Sequence, residues 1–335
     1  MRLEFFSHPA LFLGAAGPLL AADPVLGSVI ASVTEGTARE VARGDDSWAE
    51  VGAPVERWWV AVRDESGEVV GAAIRTAPFA PYPTFSVSMS DEAATALAAA
   101  LHERGEFLGG ANGALPGSRT LAEETARLWG ATMVVDQHTR LWEATSVEVP
   151  PAPEGELRQA TEDDAELVLA WFTAFHREAD EQAGREPDPE SGEHNTLDSV
   201  LARIREGVDW VWESPDGEVV HLTGAGLPAF GVRRIAPVST PKEHRGRGIA
   251  SHVVGELTRR GLEAGRRMPV HRPGQSHVQQ DLCRPRLSAG LRHGRAPHLR
   301  TRRGLGSADA ASDPARDHPR PPGGQLLLGS CDAAA

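Results

Sequence analysis

Val238-Ser239-Thr240-Pro241-Lys242-Glu243-His244-Arg245-Gly246-Arg247-Gly248-Ile249-Ala250-Ser251 is the stretch on which the reading of this chain turns. It passes from a β-forming run through a loop rich in glycine and charge into a helix. Glycines at 246 and 248 let backbone approach a ligand closely, and the helix that follows opens with unpaired N–H groups and the positive end of its dipole. Such a place suits a pyrophosphate. Ile249, Val253 and Leu257 recur every four residues and give that helix a buried face, which holds the amides in position. Arg245 and Arg247 add positive charge nearby. The loop lacks the glycine-lysine-serine or -threonine ending of a nucleotide-hydrolysing phosphate loop, and its glycine spacing is not the GxGxxG of a dinucleotide fold. The competing reading is a glycine-rich turn before an ordinary helix.

Upstream, two similar hairpins lie 150 residues apart. The first runs Trp58 to Val62, turns through Asp64-Glu65-Ser66-Gly67 and returns as Glu68-Val69-Val70. The second runs Trp210 to Glu213, turns at Asp216-Gly217 and returns as Glu218-Val219-Val220. Each joins two β-rich runs by a glycine-bearing turn. Between the copies, Pro150-Pro151-Ala152-Pro153-Glu154-Gly155 is a stiff connector that cannot continue a helix. The expected organisation is a domain over 1–149, a linker over 150–155 and a second domain over 156–268. In the second, a strand over Glu156 to Gln159 precedes a helix capped by Thr161, with Leu167, Trp171 and Phe175 as its buried stripe. A second helix starts at Thr196, the hairpin follows, and Val232 to Thr240 reads as another strand. This order of elements is a mixed-sheet α/β fold.

The quoted stretch resembles motif A of the GCN5-related N-acetyltransferases (GNAT family), in which a strand, an R-x-x-G-x-A loop and a helix grip acyl-coenzyme A. Arg245, Gly248 and Ala250 match the fixed places of that pattern. The resemblance covers 156 to about 267 and implies that acetyl-CoA is the co-substrate and that no metal is used. It implies a pantetheine arm paired with backbone at Val238, Ser239 and Thr240. The pyrophosphate then meets the amides of Arg245, Gly246, Arg247, Gly248, Ile249, Ala250 and Ser251. Residues 1–149 look like a degenerate copy of the same fold, whose corresponding loop is placed near Gly109-Gly110-Ala111-Asn112-Gly113. That copy is expected to complete a substrate cleft or a dimer surface.

The composition breaks near Met268. From Arg266 to Ala335 there are 12 arginines and five aspartates but no glutamate, lysine, isoleucine or aromatic residue other than histidine, so this segment cannot build a core. An irregular basic tail is expected over 269–335. The resemblance requires further strands here, and an asparagine-bearing helix ending in a tyrosine. Codons from Val270 onward, read one base later with suitable wobble bases, can spell FTDLANPTSNKIYAALGYRPV, which has that order. One reading of the tail is therefore an out-of-frame translation that removes the family's tyrosine acid; the other is a genuine disordered basic tail.

The net charge of −13 disfavours nucleic acid and anionic membranes as partners. Cys283 and Cys331 provide no disulfide framework, and no apolar run reaches the roughly 18 residues of a membrane span. Glu4 and Pro18 spoil a signal-peptide reading of the N-terminus, so a cytoplasmic monomer or homodimer is expected. The expected function is transfer of an acetyl group from acetyl-CoA to an amine of a small molecule or protein. The alternative is a non-catalytic acyl-CoA-binding protein. For the base, Glu213 and His221 on the second hairpin and Glu243 beside the loop are candidates, each with a plain structural role available to it.

Overall fold

The computed structural model describes residues 1–44, 55–77, 82–182, 195–273 and 278–287. The first half comprises β1 (Arg2–Phe6), α1 (Pro9–Ala22), α2 (Ser28–Ala42), β2 (Trp58–Arg63), β3 (Val69–Arg75), β4 (Thr84–Ser86), α3 (Asp91–Glu103), β5 (Ala111–Ala114), α4 (Gly117–Leu128) and β6 (Ala131–Ala144). The second repeats the opening order with β7 (Glu156–Gln159), α5 (Ala165–Gln182), α6 (Leu197–Arg205), β8 (Asp209–Glu213), β9 (Val219–Ala225), β10 (Ile235–Ser239) and α7 (Ile249–Glu263). No helix among the described residues is long and apolar enough to cross a membrane.

The repeat extends to the hydrogen bonds of the two hairpins. In the first, Asp64 N–H donates to Glu68 O and Gly67 N–H to Asp64 O; in the second, Ser214 donates to Glu218 and Gly217 to Ser214. Both ladders slip at the same place, pairing Arg63 with Val69 and Glu213 with Val219. Gly67 and Gly217 have φ of 90° and 80°, which a side-chain-bearing residue adopts only with strain.

Apolar side chains fill both faces of the first sheet. Trp58, Val60 and Val62 pack with Leu97 and Leu101 of α3 on one side, while Trp59, Ala72 and Ile74 pack with Phe12 and Leu20 of α1 on the other. In the second half, Val168 and Phe172 of α5 pack with Val200, Ile204, Val211 and Leu222. This corrects the expected stripe: Leu167 faces solvent and Trp171 is half-buried, because the face that meets the sheet is one residue further on. Thr161 and Asp164 form a reciprocal capping box ahead of α5, and Thr196 caps α6.

The sheets have orders β10-β9-β8-β7 and β1-β2-β3-β4-β5-β12-β6-β11, where β11 is Met268–Pro273 and β12 is Val278–Leu287. Two short stretches of the segment after Met268 thus pair as strands. Met268 pairs with Ala144 on β6, and β12 inserts antiparallel between β5 and β6, with Gln280 opposite Ala114 and Leu287 opposite Ala131. Open strand edges accept backbone partners whatever side chains those partners carry, so composition did not show it. Residues 288–335 lie outside the described residues.

Candidate acyl-coenzyme A site

A slot beside β10 is the focus of the second half. β10 is an end strand whose inner edge pairs with β9. On its outer side, the chain leading to β11 makes a short parallel contact. Arg233 N–H donates to Arg267 O and Arg267 N–H to Gly231 O, both at 3.0 Å. The strands then part, β10 continuing along β9 while β11 turns to β6. Parallel strands that diverge towards their carboxyl ends leave a crevice with unpaired backbone groups, the usual ligand position in α/β sheets.

A bulge shapes β10 itself. Ile235 opposes Ala225 and Val238 opposes Thr223, so Ala236 and Pro237 share the place of Gly224. A Cβ on Gly224 would lie 2.3 Å from the Ala236 carbonyl oxygen, so this close approach requires glycine. The bulge takes peptide groups out of the ladder midway along the slot.

At the far end, Gly246 and Gly248 adopt φ of 74° and 80°, and Gly248 is the N-cap of α7 with no side chain capping the helix. No atom lies within 4 Å of a Cβ built on either glycine. The first turn of α7 contains no acidic residue. Its amides are therefore not claimed by a side-chain cap, and the Cβ directions of both glycines before them are open. Ile249 is buried with Val253, Leu257 and Trp212, which anchors the turn to the sheet. These features fit a pyrophosphate.

The structure thus brings Val238 and Ser239 on β10, Thr240 just after it, the loop Arg245 to Gly248, and Ile249 to Ser251 along one line. Arg245 is not a free cation: its Nε donates to Thr240 O at 2.8 Å, and its Nη2 pairs with Glu178 of α5. It closes the loop onto the sheet. Arg247 is exposed, and its Nη2 donates to Glu243 O at 3.3 Å.

The three proposed bases have different fates. His221 is fully buried on β9, its Nδ1 2.7 Å from Thr240 Oγ1 and its Nε2 2.6 Å from Thr223 Oγ1. Burial pushes the imidazole down to about 4, so it is neutral and both nitrogens are engaged. Glu213 accepts from Arg158 Nε at 2.6 Å, and the same guanidinium reaches both oxygens of Asp164 at 2.7 and 3.0 Å. Glu243 is exposed in a short 3-10 turn. His221 and Glu213 hold structure, and Glu243 is the one left open to solvent.

The corresponding place in the first half differs. The loop near Gly109–Gly113 is not the counterpart of 245–251, because Ala111 to Gly113 belong to β5. The counterpart is the entry to α3, where Ser90 Oγ accepts from Ala93 N–H at 3.2 Å and Asp91 and Glu92 occupy the first turn. A capped, acidic helix end repels a phosphate. β4 and β5 also stay paired, Thr84 with Ala111 and Ser86 with Gly113, and a Cβ on Gly113 would meet Ser86 Oγ at 2.3 Å. The first half therefore has a closed seam where the second has a slot. Ser90-Asp91-Glu92 is a readable cap signal that sequence reasoning passed over.

No family model matches the chain, and no curated protein matches it in sequence. Solved structures similar to it include a GCN5-related N-acetyltransferase from Sphaerobacter thermophilus, at 19% identity and a TM-score of 0.46, covering 87% of this chain and 97% of that one. A GNAT-family acetyltransferase from Colwellia psychrerythraea is similar at 10% identity and a TM-score of 0.46, over 86% and 100% of the two chains. A tandem GNAT protein from the clavulanic acid biosynthesis pathway is similar at 12% identity and a TM-score of 0.43, over 85% and 98%.

Proposed function

We propose that this protein is an N-acetyltransferase that takes acetyl-CoA as donor and an amine as acceptor. The observation that carries this reading is the contrast between the two helix entries. α7 offers an uncapped, acid-free first turn behind a left-handed glycine, beside an open strand edge, whereas α3 is capped and acidic beside a closed seam. A pantetheine arm satisfies the outer backbone groups of β10 as an added strand does, and the diphosphate lies on the amides of Gly248 to Ser251. Val238, Ser239 and Thr240 then line the arm.

In the transfer, the amine nitrogen bonds to the acyl carbon and the carbon–sulfur bond breaks. The substrate ammonium gives one proton to solvent before it attacks, and the leaving thiolate takes the proton that the nitrogen sheds as it becomes the amide. Backbone N–H groups of β10 beside the bulge stabilise the oxyanion; Pro237 has none to give. His221 is engaged by two hydroxyl partners and Glu213 by Arg158, so water serves as the proton acceptor. The acceptor is a small molecule or a protein amine, and the setting is cytoplasmic.

Calorimetric titration with acetyl-CoA, followed by coenzyme A release with a panel of amines, tests the reading. Binding at one site per chain with amine-dependent release supports it. Binding without release supports a non-catalytic acyl-CoA-binding protein, and absence of binding overturns both.

A further inference from the structure

Arg233 and Arg234 stand immediately before β10, and among the described residues neither has a carboxylate partner. Arg233 Nε donates to Gly226 O at 3.0 Å and its Nη2 to Ala225 O at 3.4 Å. Arg234 Nη1 has a single long bond, 3.4 Å, to Ser32 Oγ on α2. Both side chains are half-buried. The pair contrasts with arginines of similar or greater burial elsewhere: Arg63 reaches Glu4, Arg75 reaches Glu106, Arg158 reaches Asp164, and Arg203 reaches Asp209. Acid is not scarce in a chain of net charge −13. A guanidinium withdrawn from water without a counter-ion is costly, and here two stand side by side. Loss of water pushes Arg234 down to about 10, and Arg233 is lowered by burial and by the neighbouring Arg266.

Their place in the fold gives the two guanidinium groups a use. The loop 245–251 lies past one end of β10 and Arg233–Arg234 stand at the other, with the five residues of β10 spanning roughly 16 Å at about 3.3 Å per residue. This step rests on the acetyl-CoA reading above. With the diphosphate on α7 and the arm along β10, the thioester faces the Ala236–Pro237 bulge, two residues from Arg234, whose Nη1 meets Ser32 Oγ. Ser32 of α2 also reaches this point, so the first half supplies a wall of the acceptor side.

We infer that Arg234, supported by Arg233, binds a carboxylate carried by the acceptor, so that the substrate class is amines that also bear a carboxylate group. A planar five-donor fork with one weak bond has its remaining donors available for bidentate contact with such a group. The counter-charge that the described residues do not supply arrives with the substrate.

The test uses acid and amide pairs: glycine with glycinamide, β-alanine with β-alaninamide, and γ-aminobutyrate with its amide. Binding of each to the full chain is measured with and without acetyl-CoA, alongside coenzyme A release. At least one acid is expected to bind about tenfold or more tightly than its amide. In R234M that preference falls to within about twofold, while the acetyl-CoA dissociation constant is unchanged. R234K retains part of it. Thermal unfolding of R234M is expected at or above that of the unsubstituted protein, since an unpaired half-buried charge has been removed. No preference in any pair, or one that survives R234M, overturns the inference. Failure of acetyl-CoA to bind while the acid preference persists overturns the acetyl-CoA reading alone.

Discussion

His221 Nδ1 lies 2.7 Å from Thr240 Oγ1, so the centre of the second sheet is tied directly to the first residue of the loop that leads to α7. The other ring nitrogen is 2.6 Å from Thr223 Oγ1, and the residue is fully buried. The imidazole is thus a neutral strut, and its titration is a stability property. Burial places it at about 4 in the folded chain, against about 6.5 unfolded. Above about pH 6.5 neither state takes up the proton. Between that value and about 4 the unfolded chain binds a proton that the folded chain refuses, so stability falls as pH falls. The slope is about 1.4 kcal/mol per pH unit and the total roughly 3 kcal/mol. Urea unfolding from pH 7 to 4.5 should show this loss, and H221Q, though less stable at pH 7, should have a shallower slope. An unchanged slope in H221Q would sink the assignment.

Arg158 is the other strut beneath the site, joining β7 to β8 through Glu213 and to the capping box through Asp164. The 28% exposure of its side chain keeps the worth of the cluster below that of a fully buried one. R158M leaves Asp164 with only its Thr161 contacts and is expected to cost about 1–3 kcal/mol at pH 7. The bonded guanidinium holds the Asp164 carboxyl below its usual range. The pair's contribution is therefore present above the unfolded carboxyl value near 4 and is lost as pH falls through the lower folded value. Unfolding curves of the two proteins should differ at pH 7 and draw together as pH falls below the unfolded carboxyl value near 4. A constant difference would mean that R158M acts through packing.

Much of this was legible in the sequence because it depends on local chemistry. The 150-residue offset from Gly67 to Gly217 reappears bond for bond, and Ile249, Val253 and Leu257 are buried as their spacing requires. The stripe of α5 was misjudged by one residue because Leu167 and Val168 are equally apolar, and only the sheet decides which faces inward. Long-range partners were less visible. Nothing near Arg245 in sequence points to Glu178, 67 residues away, and nothing in Val278–Leu287 signals a place between β5 and β6. Arg234 was missed for a different reason, since what marks it is the carboxylate partner that it lacks among the described residues.

Gly248 separates the phosphate reading from that of a simple turn. Its φ of 80° makes any side chain strained, by about 1–2 kcal/mol, while the space around its Cβ is open. Both readings therefore expect a modest loss of stability in G248A. Only the phosphate reading expects more, because the added methyl stands where the diphosphate approaches. Acetyl-CoA affinity should fall about tenfold or more at a temperature where G248A is fully folded. Unchanged affinity would return the loop to the role of a turn.

Ser251 allows the sharpest separation of fold from function, because one substitution should move them in opposite directions. It is exposed in the first turn of α7, a turn with no acid and no side-chain cap. A carboxylate there complements the helix dipole, so S251D should leave stability unchanged or raise it by about 0.3–1 kcal/mol. The same carboxylate reproduces at α7 what Asp91 and Glu92 already do at α3, and it repels a bound diphosphate. Acetyl-CoA binding should therefore weaken about tenfold or more in low salt, with part of the loss recovered as ionic strength screens the repulsion. A gain in stability with unaltered binding would place the diphosphate elsewhere. A loss of both would show that Ser251 serves the fold.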